Sequence, residues 1–341
     1  MKNFIARSQL RFSGLLLSSL MLSSSLAFAF DQEDPIPPST WRIKTVVQTT
    51  PAYEKARGHS GKVVPLQDLI IRDHEVRKRI EGKLIREEKK FEFDILYGLT
   101  EEWYFSAKIP FWQKKQTSNL KITAAGADLD LESKILKIEK NLQTEEVQGL
   151  GDIGFQTIYM FSRSNSHFYR GALGVQLPTG SAGTPRGIFP IAIGDRQFDL
   201  LANLNYSHYP GSIAGLRQNF RGELLVSLEG RRETLDGQSG AYTGGNMFDL
   251  RYSLNYESDN SFFGGEIQHF LGTGSGIAAE QQDDSFFQDT VHLMVGYGNL
   301  SDLEKSPLAL PFQIRLGWSY PFQGQNIPLN PSMQLMGLFY F

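Results

Sequence analysis

Charged side chains recur at every second position of short apolar segments in this 341-residue chain, and this spacing is its main chemical signal. Side chains two positions apart share one face of a β-strand. One face then carries eight basic and eight acidic groups, a balance that favours ion pairs over a ring of one sign. The sixteen residues are Arg42, Lys44, Lys90, Glu92, Asp94, Lys108, Asp152, Arg170, Asp199, Arg221, Glu223, Glu229, Asp249, Arg251, Glu266 and Arg315.

The other chemically reactive patterns are incomplete. Residues 149–154, GLGDIG, match a dinucleotide fingerprint, but that motif opens a helix and here an alternating segment follows. Ser207 and His208 are the nearest candidate nucleophile and base, yet neighbours in a strand point to opposite faces. The six histidines lack HExxH or zinc-finger spacing. We therefore predict no catalytic residues, no metal site and no cofactor.

The elements that carry these residues alternate with period two and predict twelve β-strands. Each is about ten residues long and rich in Phe, Tyr and Trp near its ends, which is typical of strands that cross a bilayer between aromatic girdles. The last strand alternates up to the aromatic carboxyl terminus. The predicted strands are 39–49, 89–97, 102–112, 150–161, 167–177, 197–209, 219–229, 247–257, 261–271, 287–297, 311–322 and 331–341.

The links between these segments alternate in length. Short links at 98–101, 162–166 and 258–260 contrast with long ones at 50–88 and 113–149. Outer-membrane barrels have short periplasmic turns and longer outer loops, and an even strand count places both termini on the same side. The pattern predicts an all-β, transmembrane, antiparallel up-and-down β-barrel with both termini periplasmic. Residues 73–90 fit either an amphipathic helix over the mouth or strands that project past the membrane, and residues 127–142 have the same ambiguity.

The amino terminus predicts export. Residues 1–29 have a basic start, an apolar stretch and an A-x-A site, which is typical of a signal peptide cleaved after Ala29. The mature barrel would then cover 30–341 in the bacterial outer membrane. The formal net charge is −3, and loss of the basic leader makes it more negative, so we predict no nucleic-acid partner. The expected partners are outer-membrane lipid, lipopolysaccharide and the barrel-assembly machinery, which would read Tyr340 and Phe341 as an assembly signal.

Several short motifs occur in an order that resembles a known family. They are YGLTEE at 97–102, IPF at 109–111, GLGD at 149–152, and the stretch from Gly171 to Gly180 that ends in LPTG. Together they resemble the family named for the MetA pathway of phenol degradation. The resemblance implies an outer-membrane barrel that transports small molecules, and it supplies no catalytic residues.

Three functions follow from these observations. The barrel with the family resemblance favours a passive channel for small hydrophobic or aromatic molecules. The long outer links leave open a structural or surface-interaction barrel, and an outer-membrane enzyme is a third alternative. For a channel, the charged face would line the lumen, and its pairs would cross that lumen or leave a polar conduit. The candidate lining residues are Lys108, Arg221, Glu223, Asp249, Arg251, Glu266, His292 and Arg315.

Overall fold

A computed structural model describes fourteen stretches of the chain: 36–71, 74–123, 131–133, 135–136, 142–180, 193, 197–233, 239–243, 245–258, 260–273, 276–277, 280–281, 285–299 and 311–341. The predicted signal peptide and its cleavage site lie outside these residues. None of the described helices is long and apolar enough to cross a membrane.

Twelve antiparallel strands form the barrel wall, as predicted, and each pairs with the next. The fourth strand is in two segments. The strands are β1 (Trp41–Tyr53), β2 (Leu84–Gly98), β3 (Trp103–Ser118), β4 (Glu145–Leu150 and Ile153–Arg163), β5 (His167–Leu177), β6 (Asp199–His208), β7 (Leu216–Ser227), β8 (Met247–Glu257), β9 (Ser261–Gly272), β10 (Phe286–Asn299), β11 (Phe312–Gln325) and β12 (Ser332–Tyr340).

The barrel closes between β1 and β12. Arg42 pairs with Tyr340, Val47 with Leu335, and the register continues to Thr49 and Met333 without a shift. We call the end of the barrel near Arg42 and Tyr340 the termini end and the opposite end the loop end. Closure matters because a sheet with free edges would leave backbone groups unpaired in hydrocarbon.

The distribution of polar and apolar side chains is inverted relative to a water-soluble protein: apolar side chains lie on the outer face of the wall and polar ones on the inner face. Leucines on the outer face are largely exposed, with Leu173 at 71% and Leu204 at 64%. Polar side chains on the inner face are buried, and Asp199 and Gln268 expose 0% of their surface. Aromatic pairs such as Trp41 with Tyr97, with ring centroids 4.4 Å apart, cover the outer face near the termini end. This pattern suits a wall that faces lipid on the outside.

Shorter elements extend the wall at the loop end. Two helices, α1 (Leu66–Ile70) and α2 (His74–Arg77), lie in the link between β1 and β2. The short strands are Lys55–Arg57, Val63–Pro65, Ile80–Glu81, Lys121–Ile122, Glu229–Glu233, Ser239–Thr243, Gly276–Ile277, Glu280–Gln281 and Ile327–Pro328.

The first two long links are shorter than predicted because the strands on either side of them project further. The structure ends β1 at Tyr53 and begins β2 at Leu84, so residues 84–90 of the ambiguous 73–90 stretch are strand and α2, in the same stretch, is a single turn. Likewise β3 runs to Ser118 and β4 begins at Glu145. Most outer-face positions there, such as Glu87 and Lys115, are polar, so the apolar alternation on which the prediction depended stops before the strands do. In the other stretch, residues 131–133 and 135–136 are helical.

These links build an outer layer with a hydrophobic core of its own. Leu66, Ile71 and Val76 from the first link pack with Ile135 and Leu142 from the second. At its base the Tyr53 hydroxyl donates a 2.7 Å hydrogen bond to the Glu88 carboxylate. Burial, followed by the adjacent Glu88 charge, raises the pKa of this phenol well above its ordinary value. The tyrosine therefore stays protonated and remains the donor.

A substitution at Leu224 tests the outward face. Its side chain is 42% exposed on the outer face of β7. We expect Leu224→Arg to lower the free energy of unfolding by about 2–4 kcal/mol, as for an arginine near the bilayer midplane. Guanidinium unfolding of the protein in phospholipid vesicles measures this, with Leu224→Phe as an apolar control. If the two variants unfolded at the same denaturant concentration, Leu224 would not face hydrocarbon.

Candidate functional site

The predicted lining residues lie on the inner face in two groups. Asp249, Arg251, Glu266, His292 and Arg315 are buried on β8 to β11. Arg221 and Glu223 are partly buried on β7 beside them, whereas Lys108 is partly buried on β3, across the barrel. Their place in the wall follows from strand alternation; their role as the lining of a solute path stays a prediction.

The most connected part of the inner face is a polar network centred on Arg251. Its guanidinium donates to Asp249 two positions back on β8, and its Nη1 lies 3.8 Å from Glu266 Oε1 on β9. Gln268 joins the network by donating to Asp249 Oδ2 over 2.8 Å. A buried cation with two carboxylates and an amide around it has the partners that burial of charge requires.

His292 extends this network on β10. Its Nε2 lies 2.9 Å from Gln268 Oε1, which can only accept, so the imidazole carries its proton there. Its Nδ1 lies 2.7 Å from Ser319 Oγ on β11, which can then donate to it. Both ring nitrogens are thus occupied, and His292 acts as a bridge between strands.

Several ion pairs on the inner face run along the wall, whereas the sequence predicted pairs across the lumen. Asp249 with Arg251, Arg221 with Glu223 (2.5 Å) and Lys90 with Glu92 (2.5 Å) are each two positions apart on one strand. Residues at this spacing point the same way and are near enough to touch, which is why the short-range pair forms.

Arg315 makes the pair that spans several strands. It reaches from β11 to Glu257 on β8, with Nη2 3.6 Å from Oε1, and donates to Gln313 on its own strand. On the way its guanidinium lies 3.8 Å from the ring centroid of Phe262 on β9. The cation is therefore covered by an aromatic face near the termini end.

Lys108 belongs to a lysine-rich wall on the opposite side. Lys44 on β1 forms a 2.7 Å ion pair with Asp94, which is its cross-strand partner on β2. Asp94 also accepts a 3.0 Å hydrogen bond from Ser106, and its partner on β3 is Lys108. Cross-strand neighbours on one face lie within reach of each other, so Lys108 adds a third charge to this row.

Apolar side chains form two clusters on the inner face near the termini end, which the sequence did not predict. Ile36, ahead of β1, packs with Leu96, Tyr104, Ile158 and Met160. A second cluster, Val46, Phe262, Met294, Met336 and Leu338, adjoins it. Tyr340 packs against both clusters, whereas Phe341 is exposed; their predicted role as an assembly signal is a separate matter that stays a prediction.

One cavity inside the network side of the wall is small. The cavity between Asn205, Asn219, Arg221, Arg251 and Glu266 measures about 20 Å³, room for one water molecule. A larger cavity of about 720 Å³ lies mainly between outer-face side chains such as Leu204, Phe220 and Leu250, so it opens toward lipid.

Ser207 and His208, the candidate nucleophile and base, lie on opposite faces of the wall. Ser207 is buried and bonds to Arg170 on the inner face, whereas the His208 ring stacks on His167 at 4.5 Å between centroids. Among the described residues, no group of three or more His, Asp or Glu side chains is placed to hold a metal ion. The prediction of a non-enzyme rests on the sequence and stays a prediction.

One glycine of the 149–154 motif, Gly151, has a packing role. The two segments of β4 meet at Gly151, where an added Cβ would lie 2.9 Å from both Pro110 Cγ and Trp112 Cδ1. Only glycine leaves room for the Trp112 indole there. Gly151 thus reflects a close approach between β3 and β4.

Comparison with known proteins identifies the fold. The chain matches no protein-family model and no curated protein. The crystal structure of an outer-membrane channel from Pseudomonas putida F1 superposes with a TM-score of 0.64 at 11% identity, covering 91% of this chain and 99% of that one. The β-domain of the Bordetella autotransporter BrkA gives a TM-score of 0.43 at 10% identity, with coverages of 90% and 100%. The CymD monoaromatic hydrocarbon channel gives 0.42 at 10% identity, with coverages of 93% and 94%.

The first of these likenesses shows that the fold is that of a bacterial outer-membrane β-barrel. The other two superpose too weakly to support an argument. The resemblance to the MetA-pathway family stays a prediction, although the barrel fold that it implies is confirmed.

A charge deletion tests the Arg251 network. Arg251→Ala leaves Asp249 and Glu266 buried without their cation, and we expect it to lower the free energy of unfolding by about 3–5 kcal/mol. Neutralising the whole group, with Arg251→Met, Asp249→Asn and Glu266→Gln together, should cost less because no buried charge stays unmatched. Denaturant titration in vesicles compares the two. A single variant as stable as the triple one would show that these side chains do not depend on one another.

Proposed function

We propose that this protein is an outer-membrane channel through which small molecules with an apolar or aromatic part diffuse passively. The observation that carries the proposal is the closed twelve-stranded barrel with polar groups inward, which has the fold of a channel from Pseudomonas putida F1. The apolar or aromatic nature of the solute comes from the family resemblance of the sequence. The bacterial outer membrane is the matching location, because an even number of antiparallel strands in one chain is typical of the barrels of that bilayer.

A second function is favoured by the outer layer. Its core buries Leu66, Ile71 and Ile135. A solvated loop that only connects two strands needs no such core. Ordered loops held by a rigid scaffold are common binding surfaces. The second candidate is therefore a barrel that acts through an outer partner, and it requires no flux through the lumen.

Uptake by whole cells distinguishes the two functions. We expect a strain that lacks the gene to take up a radiolabelled neutral aromatic such as toluene several-fold more slowly at limiting concentration, and the intact gene on a plasmid to restore the rate. Whole cells are needed because a small apolar solute crosses a simple phospholipid vesicle unaided.

The control is uptake of a small sugar through other pores, which should be equal in both strains. Equal uptake of every aromatic compound with and without the gene would contradict the channel function and favour the outer-partner function.

A further inference from the structure

Burial of the inner-face side chains changes along the height of the barrel. On β3, Tyr104 near the termini end is buried, whereas Lys108 at mid-height is partly exposed. On β4, Ile158 is buried and Gln156, further from the termini end, is partly exposed. Since these side chains point inward, the exposed ones face space inside the barrel. That space therefore reaches mid-height beside β3 and β4 and is filled toward the termini end.

An apolar cluster fills the barrel there. Ile36 packs in it with inner-face side chains of four adjacent strands, β2 to β5, and none of its members is more than 5% exposed. The members on the wall are Leu96, Tyr104, Ile158, Met160 and Ala172. Tyr340 joins this cluster to that of Val46 and Phe262, so apolar packing continues across the seam. Water reaches almost none of this surface, so the cluster closes this part of the lumen.

Ile36 differs from the other members because it precedes the wall. The first wall strand, β1, begins at Trp41, and the chain turns back between the two residues. Ser39 has a φ of 61°, the left-handed conformation that such a turn uses. Its N–H donates a 2.8 Å hydrogen bond to the carbonyl of Gly98 at the end of β2. The Ile36 side chain therefore lies inside the barrel without being part of its wall.

The end of β2 has room for this turn. An added Cβ at Gly98 would lie 2.5 Å from the Pro37 carbonyl oxygen and 3.4 Å from Ile36 Cγ1, so only glycine lets the segment fold over the rim. Pro37 and Pro38 are exposed, and proline has no N–H to donate. The pairing of β1 with β2 begins after them, at Trp41. Movement of Ile36 out of the cluster therefore leaves the strand pairing intact.

We propose that Ile36 is a stopper: it closes the channel at the termini end, and an uncharged apolar solute passes by displacing its side chain, whereas ions do not pass. The inference rests on the proposed channel function and narrows its solutes to uncharged ones. A small apolar solute replaces the apolar contacts that Ile36 gives up. An ion would lose its hydration in an apolar space without gaining a partner. Apolar constrictions stop water and ions in this way in other channels.

Ion current through the purified protein in a planar lipid bilayer tests the closure. We expect the unmodified protein to carry little steady current in potassium chloride. Ile36→Gly should carry about tenfold more, because water fills the space that the side chain leaves. Leu99→Gly is the matched control: it removes an exposed apolar side chain at the same end of the barrel, in the turn between β2 and β3, and should leave the current unchanged.

A second pair of variants tests whether Ile36 lies in the path of the ions. Under a salt gradient, Ile36→Asp should shift the reversal potential toward that of the cation, since a carboxylate beside a narrow path favours cations. Leu99→Asp adds the same charge outside the path and should cause no shift. A heat-modified mobility shift on gels checks that each variant is folded.

Labelling of a single cysteine tests displacement by the solute. The chain has no cysteine of its own, so Ile36→Cys introduces the only thiol. Its reaction with a membrane-impermeant maleimide should be slow, and toluene should speed it several-fold because the solute displaces the side chain. Benzoate, which carries a charge on the same ring, should not. The exposed Leu99→Cys should react quickly and equally with either compound present.

A large, steady current through the unmodified protein would overturn the closure. A higher current in Ile36→Gly than in Leu99→Gly, or a cation shift confined to Ile36→Asp, would support the stopper, and absence of both would overturn it. Equal labelling of Ile36→Cys with toluene and benzoate would overturn the selection of uncharged solutes. The expected currents without gene-dependent uptake of any aromatic compound would instead overturn the channel function and keep Ile36 as a closure of the barrel.

Discussion

Hydrogen bonding of the backbone is the constraint on which the rest of this structure depends. Inside hydrocarbon no water can pair with an N–H or C=O group, so a sheet must close on itself or leave an edge unpaired. The pairing of β1 with β12 meets that demand. Closure then gives every strand an inner and an outer face, and strand geometry sends successive side chains to opposite faces. The inverted distribution of leucines and charges follows from this geometry.

Closure also confines the charges, because none of them can move to the lipid side. The charges therefore pair over short distances. A carboxylate lies two positions from a cation on the same strand, as in Asp249 and Arg251, or directly opposite a cation on the neighbouring strand, as in Lys44 and Asp94. Such pairs need no partner from the far wall.

Period-two alternation predicted all twelve strands and the face of nearly every residue in them, because lipid on one side makes the outer positions apolar. The predicted strands end too early where the outer positions no longer face lipid. β2 and β3 continue past the apolar belt through residues such as Glu87 and Lys115, whose outer-face polarity removes the signal. Pairing partners could not be predicted either, since the reach of Arg315 to Glu257 depends on the curvature of the wall. Ile36 carries no periodic signal at all, and its burial depends on a space that only the closed barrel creates.

The register at the seam tests the account most directly, because closure and the choice of inner face both depend on it. The chain has no cysteine, so a disulfide between two introduced cysteines can be detected without competing disulfides. Val47 and Leu335 are cross-strand partners on the outer face. With Val47→Cys and Leu335→Cys together, mild oxidation of isolated outer membranes should form the intramolecular disulfide in most molecules, because directly opposite Cβ atoms lie about 4.5–5.5 Å apart. Val47→Cys with Met333→Cys, offset by two positions, should crosslink far less. Preferential crosslinking of the offset pair, or none in either, would contradict the closed barrel in this register.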